Sequence, residues 1–243
     1  MSEEIKPYKD SNESKKEQVA KMFDNISGGY DNLNRVISFG TDIRWRKKVL
    51  KLVSAKNPQT ILDIATGTGD LAIMLSIIPN AKITGADISE GMLEVGRKKV
   101  AAKNLSDRIE LVYGDSENLP FEDNSFDAIT VGFGIRNFEN LERGLAEILR
   151  VLRPNGIFVI LETSVPEKFP FRQGYMFYTK IILPLIGRIF SKDNAAYGYL
   201  SESAANFPYG ERLNNILRKT GFIDVISLPQ TFGAATIYKA SKS

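Results

Sequence analysis

The chain has 243 residues, 43% hydrophobic and 25% charged, which suits one α/β domain large enough to bury its own core. A net charge of +3 and a pI near 8.9 are compatible with an anionic cofactor or a membrane surface and too mild to argue for nucleic acid. With no histidine and no cysteine, the composition excludes disulfides, a histidine-ligated metal site and Ser-His-Asp or cysteine nucleophiles. Acid–base work therefore falls to Asp, Glu, Tyr, Arg, Lys or an oriented water.

The first six residues are polar and lack a signal-peptide core, and no run of ~18 apolar residues appears. Cytoplasmic residence is the expectation. Residues 1–13 read as a disordered tail. Val19, Met22, Phe23 and Ile26 recur at helical spacing over 14–26, and Ser27-Gly28-Gly29 ends that helix. Trp45, Val49, Leu50, Leu52 and Val53 form one face of a later helix leading to Asn57-Pro58. Residues 14–57 are thus expected as a helical cover over a sheet.

From residue 60 the pattern alternates. Strands are predicted at 60–64, 82–87, 109–113, 126–131 and 157–161, and helices at 70–78, 90–103 and 141–151. Ser89 is placed to cap the second of these helices, and Pro154-Asn155-Gly156 reads as a turn. Such alternation builds a parallel sheet with right-handed crossovers. Residues 166–208 break the rhythm as an apolar helical insertion. Its stretch 171–190 is dense in aromatic and aliphatic residues, interrupted by Arg172, Lys180 and Arg188, with a kink expected at Pro184. A helix at 209–220, with Gly221 as its C-cap, and strands at 222–227 and 236–239 complete a single domain over 1–243.

The run Ile61-Leu62-Asp63-Ile64-Ala65-Thr66-Gly67-Thr68-Gly69-Asp70 carries the chemistry. A buried-type strand enters a small-residue turn that opens a helix, where backbone can approach a ligand and free N–H groups face it. A tight turn used only for packing reads similarly. Asp87 closes the next strand about 20 residues on, as a ribose-hydroxyl acceptor does. Asp115 follows the third strand, at the sheet edge where open α/β folds bind ligands, with the Ser116 N–H beside it. After the fourth strand comes Gly132-Phe133-Gly134-Ile135-Arg136-Asn137. Arg136 brings a permanent charge and a rigid donor fork, with a surface ion pair as the plain alternative.

The glycine run, with its acid in front, resembles motif I of class I S-adenosylmethionine (SAM)-dependent methyltransferases, Ala65 standing for the usual first glycine. Tyr30-Asp31, Asn34, Ser38 and Trp45 resemble the first signature of the UbiE/MenG family, C-methyltransferases of ubiquinone and menaquinone biosynthesis. Leu33 replaces a methionine there, and Asp42 stands where the family often has histidine. The stretch from Arg150 through Arg153-Pro154-Asn155-Gly156 to Glu162-Thr163-Ser164 resembles the second signature, with Asn155 for glycine. Leu119-Pro120-Phe121, the residue 132–137 loop and Tyr199-Leu200 with Ser203 and Phe207-Pro208 also fit.

The resemblance implies a class I, Rossmann-like fold: a mostly parallel seven-stranded sheet, helices on both faces, a helical cover and an insertion after strand 5. It implies SAM as co-substrate without a metal, and C-methylation of a polyprenylated quinol, either demethylmenaquinol or the methoxy-benzoquinol of the ubiquinone branch. Carried over by position, Thr68, Asp87, Asp115 and Ser116 are the SAM contacts, with Asp63 and Gly67 supporting them. Asp63 would meet the methionine amino group. Arg136 and Asn137 are the catalytic candidates, stabilising a developing phenolate or orienting a water. The apolar insertion is read as a wall for the isoprenoid tail, a peripheral contact with the membrane's inner face, or core and homodimer packing. An O- or N-methyltransferase on another small molecule and a non-catalytic SAM-binding partner are the rival readings. A nucleic-acid enzyme is disfavoured by the absence of a basic stripe.

Overall fold

Hydrophobic runs bounded by turn residues become the strands β1 (Thr60–Ile64), β2 (Lys82–Asp87), β3 (Ile109–Tyr113), β4 (Phe126–Gly132) and β5 (Leu152–Thr163), followed by β6 (Ile223–Gln230) and β7 (Ala235–Ser241). In the computed structural model, which describes residues 5–182 and 194–243, they form one sheet in the order β3-β2-β1-β4-β5-β7-β6. β1 to β5 pair in parallel, and β7 runs antiparallel between β5 and β6. The expected mostly parallel, seven-stranded, Rossmann-like sheet is present.

Side chains alternate across this sheet with a period of two. Leu62, Ile64, Ile129, Val131, Phe158 and Ile160 pack on one face with α6 (Leu141–Val151). Ile61, Ala128, Ile157, Val159 and Leu161 pack on the other, against residues of α3 (Thr41–Ser54), α4 (Asp70–Leu75) and α5 (Glu90–Ala102). Both faces are covered, which is what strands of near-continuous apolar character require. Two further helices, α1 (Lys15–Ile26) and α2 (Tyr30–Ile37), precede α3. Ser14 and Glu17 form a capping box at the start of α1.

Val19, Met22 and Ile26 of α1 share a core with Met92 of α5 and with Ala196 and Tyr199. The last two belong to a helix at Asn194–Asn206. The N-terminal cover and the insertion therefore meet. Ile5 and Tyr8 rest against the same cluster, and the Tyr8 N–H donates to Gln18 Oε1 at 2.8 Å.

Several boundaries move. α4 stops at Leu75 instead of 78: the Ile77 and Ile78 N–H groups bond three residues back, to Met74 and Leu75, in a tight turn. The expected turn at 154–156 is a bulge inside β5: Leu152 already pairs with Phe126, and Ile157 with Ala128. Asn155 takes φ 61° there, and its N–H donates to Lys242 O at 3.0 Å. β6 extends to Gln230 through Pro229, which an edge strand tolerates. In the insertion, α7 (Phe171–Phe177) continues into a wider helical turn at Tyr178–Ile182. Because Asn194–Asn206 comes next among the described helices, it is α8, and Glu211–Thr220 is α9. Pro184 and the rest of the apolar run to 190 lie outside the described residues.

Candidate active site

The carboxyl ends of β1 to β4 open onto a crevice. Its floor is residues from the strand-end turns: Ala65 and Gly67 after β1, Asp87 and Ile88 after β2, and Gly114, Asp115 and Ser116 after β3. Its roof is Lys16, Val19 and Phe23 of α1 with Tyr30 of α2. This is the crevice position at which open α/β sheets bind ligands.

Gly67 has φ +57°, and a Cβ built on it meets nothing within 4 Å. The peptide is bare on the cavity side, where a ligand can lie on the backbone. Ala65 is also left-handed, at φ 51°. An alanine there carries the steric penalty that the usual glycine avoids. Its Cβ lies against Gly134, where an added Cβ would come within 2.4 Å. The β1 and β4 loops are thus packed backbone to backbone.

The strand-end acids have different surroundings. Asp87 Oδ2 accepts the Gly67 N–H at 2.7 Å, and Oδ1 accepts the Ser89 N–H at 2.9 Å. Burial nevertheless pushes its carboxyl up to about 6, against the pull of those N–H groups. Asp115 Oδ2 holds the Lys16 ammonium at 2.6 Å, and Oδ1 accepts the Glu117 N–H at 2.9 Å. Lys16 is raised above its ordinary value chiefly by that bond. Asp63 is off the cavity wall. It is buried in β1 and accepts the hydroxyls of Thr66 at 2.7 Å and Thr130 at 2.6 Å. Burial again lifts its carboxyl to about 6.

Thr68 faces away from the cavity as well. Its hydroxyl donates to Asp31 at 2.6 Å and accepts from Lys99 at 3.0 Å, and Lys99 also pairs with Asp31 and Asp70. This cluster ties α2 to the start of α4. Asp24 of α1 makes a second tie: it accepts Ser89 Oγ at 2.6 Å and the Gly91 N–H at 2.9 Å, at the start of α5. The roof is therefore pinned to the floor by polar bonds on two sides.

The loop after β4 forms the far wall through Gly132, Phe133, Gly134 and Asn137. Phe133 sits at φ 60°, a strained conformation for a bulky residue. It is held by its N–H on Leu161 O at 2.7 Å and by Trp45, whose ring centroid is 6.1 Å away. Asn137 Oδ1 accepts the Tyr199 hydroxyl at 3.1 Å.

Arg136 lies behind this wall. Its Nη1 donates to Phe133 O at 2.6 Å and to Glu162 Oε1 at 2.7 Å. Both side chains are almost wholly buried. Arg136 Nε and Glu162 Oε2 are buried without a hydrogen-bond partner. Despite desolvation, Glu162, Tyr30 and Tyr199 together raise the Arg136 guanidinium above its ordinary value. Asp42, at the position where histidine is common, is buried against Arg46 and accepts Ser38 Oγ at 2.7 Å.

Six of the eight residues singled out from the sequence gather here as cavity wall or immediate backing: Gly67, Asp87, Asp115, Ser116, Asn137 and Arg136. Asp63 and Thr68 support them from beneath and beside. Sequence reasoning gave no site role to Lys16, Tyr30, Glu117 or Glu162, although Tyr30 and Glu162 stand within the two signatures. Glu162 carried the available signal, an acid directly after the apolar run of a strand, which is the logic that picks out Asp63 and Asp87.

The chain matches the family model described as the ubiE/COQ5 methyltransferase family over residues 10–242. A demethylmenaquinone methyltransferase of Bacteroides fragilis is 48% identical over 242 residues, spanning 99% of this chain and 98% of that protein. One from Geobacillus stearothermophilus is 43% identical over 232 residues, spanning 95% and 99%. Among solved structures, a SAM-dependent methyltransferase from Thermotoga maritima superposes with a TM-score of 0.65 at 22% identity, covering 92% of this chain and 99% of that one. The fold is that of the class I SAM-dependent methyltransferases.

Proposed function

The chain belongs to the ubiE/COQ5 methyltransferase family, and from that premise we propose that it transfers the methyl of SAM to a ring carbon of demethylmenaquinol. It is a SAM-dependent methyltransferase; the acceptor is our reading. The observation that carries this reading is the near full-length identity to proteins named for demethylmenaquinone.

The residues present fit SAM. Gly67 leaves a bare peptide for the methionine part, Asp87 keeps carboxylate lone pairs for ribose hydroxyls, and Asp115 with Ser116 offers an acceptor and a donor to adenine. Asp63 and Thr68 hold this surface in place. When bound, SAM supplies an electrophilic methyl on a sulfonium. The protein's part is to hold the acceptor carbon in line, exclude water and stabilise negative charge on the acceptor oxygen. We assign that last task to Arg136, with Asn137 orienting the hydroxyl. The reaction calls for no metal and no covalent intermediate.

The isoprenoid tail needs an apolar route out. Phe39, Phe171, Phe177, Ile181 and Phe232 are exposed. Phe171 stacks on Phe232 at 3.9 Å, and Phe39 lies 5.8 Å from Tyr178. We take this face, with Lys168 and Arg172 beside it, as the tail's exit onto a membrane surface. No helix among the described residues is long and apolar enough to cross a membrane.

Product mass spectrometry tests the reading. The protein is incubated with SAM and short-tail demethylmenaquinol kept reduced, beside the methoxy-benzoquinol and both oxidised quinones. One methyl gained at carbon on the reduced naphthoquinol is expected. No gain on either quinol with normal SAM binding rejects the assignment.

A further inference from the structure

The proton that leaves the acceptor hydroxyl needs a recipient, and the chain has no histidine. The acids that line the cavity are already engaged: Asp87 by the Gly67 and Ser89 N–H groups, Asp115 by Lys16, Glu117 by the Glu139 and Asn140 N–H groups, and Glu139 by the Lys15 N–H. Arg136 holds its proton more tightly than a free guanidinium. Burial pushes the Tyr175 hydroxyl of α7 up to about 12 and raises those of Tyr30 and Tyr238. Each of these is a donor at neutral pH and not a base. Asp63 spends one oxygen on Thr66 and the other on Thr130.

Glu162 differs. It stands at the carboxyl end of β5, directly after Leu161, whose partner in β4 is Gly132 on the cavity wall. Oε1 takes three donors: Arg136 Nη1 at 2.7 Å, its neighbour's Thr163 N–H at 2.8 Å and Thr163 Oγ1 at 3.1 Å. Oε2 is buried and takes none. A buried carboxylate is expected to satisfy both oxygens, and one held rigidly by one oxygen presents the other at a set position. The groups facing it are Arg136 from the β4 loop, Tyr175 from α7, Tyr238 from β7, and Thr236, its β7 pair.

Resting on the quinol reading, we propose that Glu162 Oε2 is the acceptor of the quinol hydroxyl proton and that Arg136 Nε is the donor to the oxyanion left behind. The balance is as follows. The O–H bond breaks and its proton passes to Oε2. The oxygen electron pair moves into the ring, and the adjacent carbon forms its bond to the methyl as the sulfur–methyl bond breaks, with that electron pair staying on sulfur. The displaced ring proton goes to water, and Glu162 returns its proton to the oxygen. One proton is released overall. Arg136 stays charged throughout, so its positive field is present whichever partner carries the negative charge.

The test compares wild-type protein with Glu162→Gln and Glu162→Asp on short-tail demethylmenaquinol between pH 6 and 9. Melting temperature and SAM titration serve as controls, and Trp45 fluorescence reports quinol binding. The expected wild-type kcat is nearly flat over neutral pH. In Glu162→Gln, kcat is expected to fall about 100-fold at pH 7 and then rise about tenfold per pH unit, because only quinol already ionised in solution reacts. Glu162→Asp is expected to recover part of the activity with the wild-type profile. Glu162→Gln with wild-type kcat, or with a uniformly lower kcat and an unmoved profile, overturns the proposal. So does a folded Glu162→Gln protein that binds SAM and quinol normally while both variants are inactive at every pH. No turnover by the wild type rejects the acceptor assignment instead, and normal quinol binding in that case separates the two failures.

Discussion

At the carboxyl ends of β1 to β3 each acid already has its donors: Asp63 two threonine hydroxyls, Asp87 two backbone N–H groups, Asp115 a lysine and an N–H. Around β5 and α7 the picture reverses. A buried ion pair keeps two atoms without partners, and Phe39, Phe177 and Phe232 are exposed at 76, 57 and 69%. The contrast matches what the two proposed ligands require. A charged, hydroxyl-rich cofactor is bound by oriented polar groups, which must be satisfied in the free protein to be rigid. An apolar acceptor with a long tail is bound by surface, and only its hydroxyl needs matched polar atoms.

Asp87→Ala attacks the first region where it is least replaceable. It removes the acceptor proposed for the ribose and leaves the Gly67 and Ser89 N–H groups without theirs. SAM affinity is expected to fall at least about 100-fold by calorimetry, while quinol quenching of Trp45 changes little. Loss of quinol binding as well would mean that the two regions are not separable.

The exposed aromatic face sharpens the comparison from the other side. Phe39→Ser with Phe177→Ser is expected to lower turnover of a long-tail acceptor in anionic vesicles about tenfold. Short-tail turnover and SAM affinity should stay within about twofold, the scale of exposed changes that touch neither site. An equal loss with both acceptors would assign these side chains to packing.

pH separates the regions without mutation. Asp87 accepts hydroxyls best when ionised, and its carboxyl stands at about 6 in the free protein. SAM affinity should therefore weaken from pH 7 to pH 5 by about tenfold. Stability of the ligand-free protein moves the opposite way. A carboxyl raised from 3.8 to about 6 by burial, as Asp63 and Asp87 are, contributes stability that is full below its unfolded value and lost as pH rises through about 6. Melting without SAM should rise between pH 7 and 5 while the shift produced by SAM shrinks.

The smallest effect belongs to Lys16. Its ammonium occupies Asp115 at 2.6 Å and is a third exposed. Lys16→Met should free that carboxylate and tighten SAM binding by about two- to fivefold, the scale of a solvent-screened ion pair. Weaker binding would make Lys16 part of the site.

Residue order alone was enough for the strands, the helices on both faces, the helical cover and the acids at the strand ends. These rest on local causes: apolar periodicity, turn residues and an acid placed where a strand stops. It also singled out Arg136 and Asn137 as candidates, which the structure sets in the loop after β4. What it left open was which side chains meet. Lys16 on Asp115, Lys99 bridging Asp31 and Asp70, and α8 packing on α1 all join residues 29 or more positions apart. Such contacts depend on how layers stack, and no local periodicity encodes them. The same holds for Arg136 and Glu162. Each reads in isolation as a charged residue near a strand end, and only adjacency of β4 and β5 buries them together with one oxygen and one nitrogen left over.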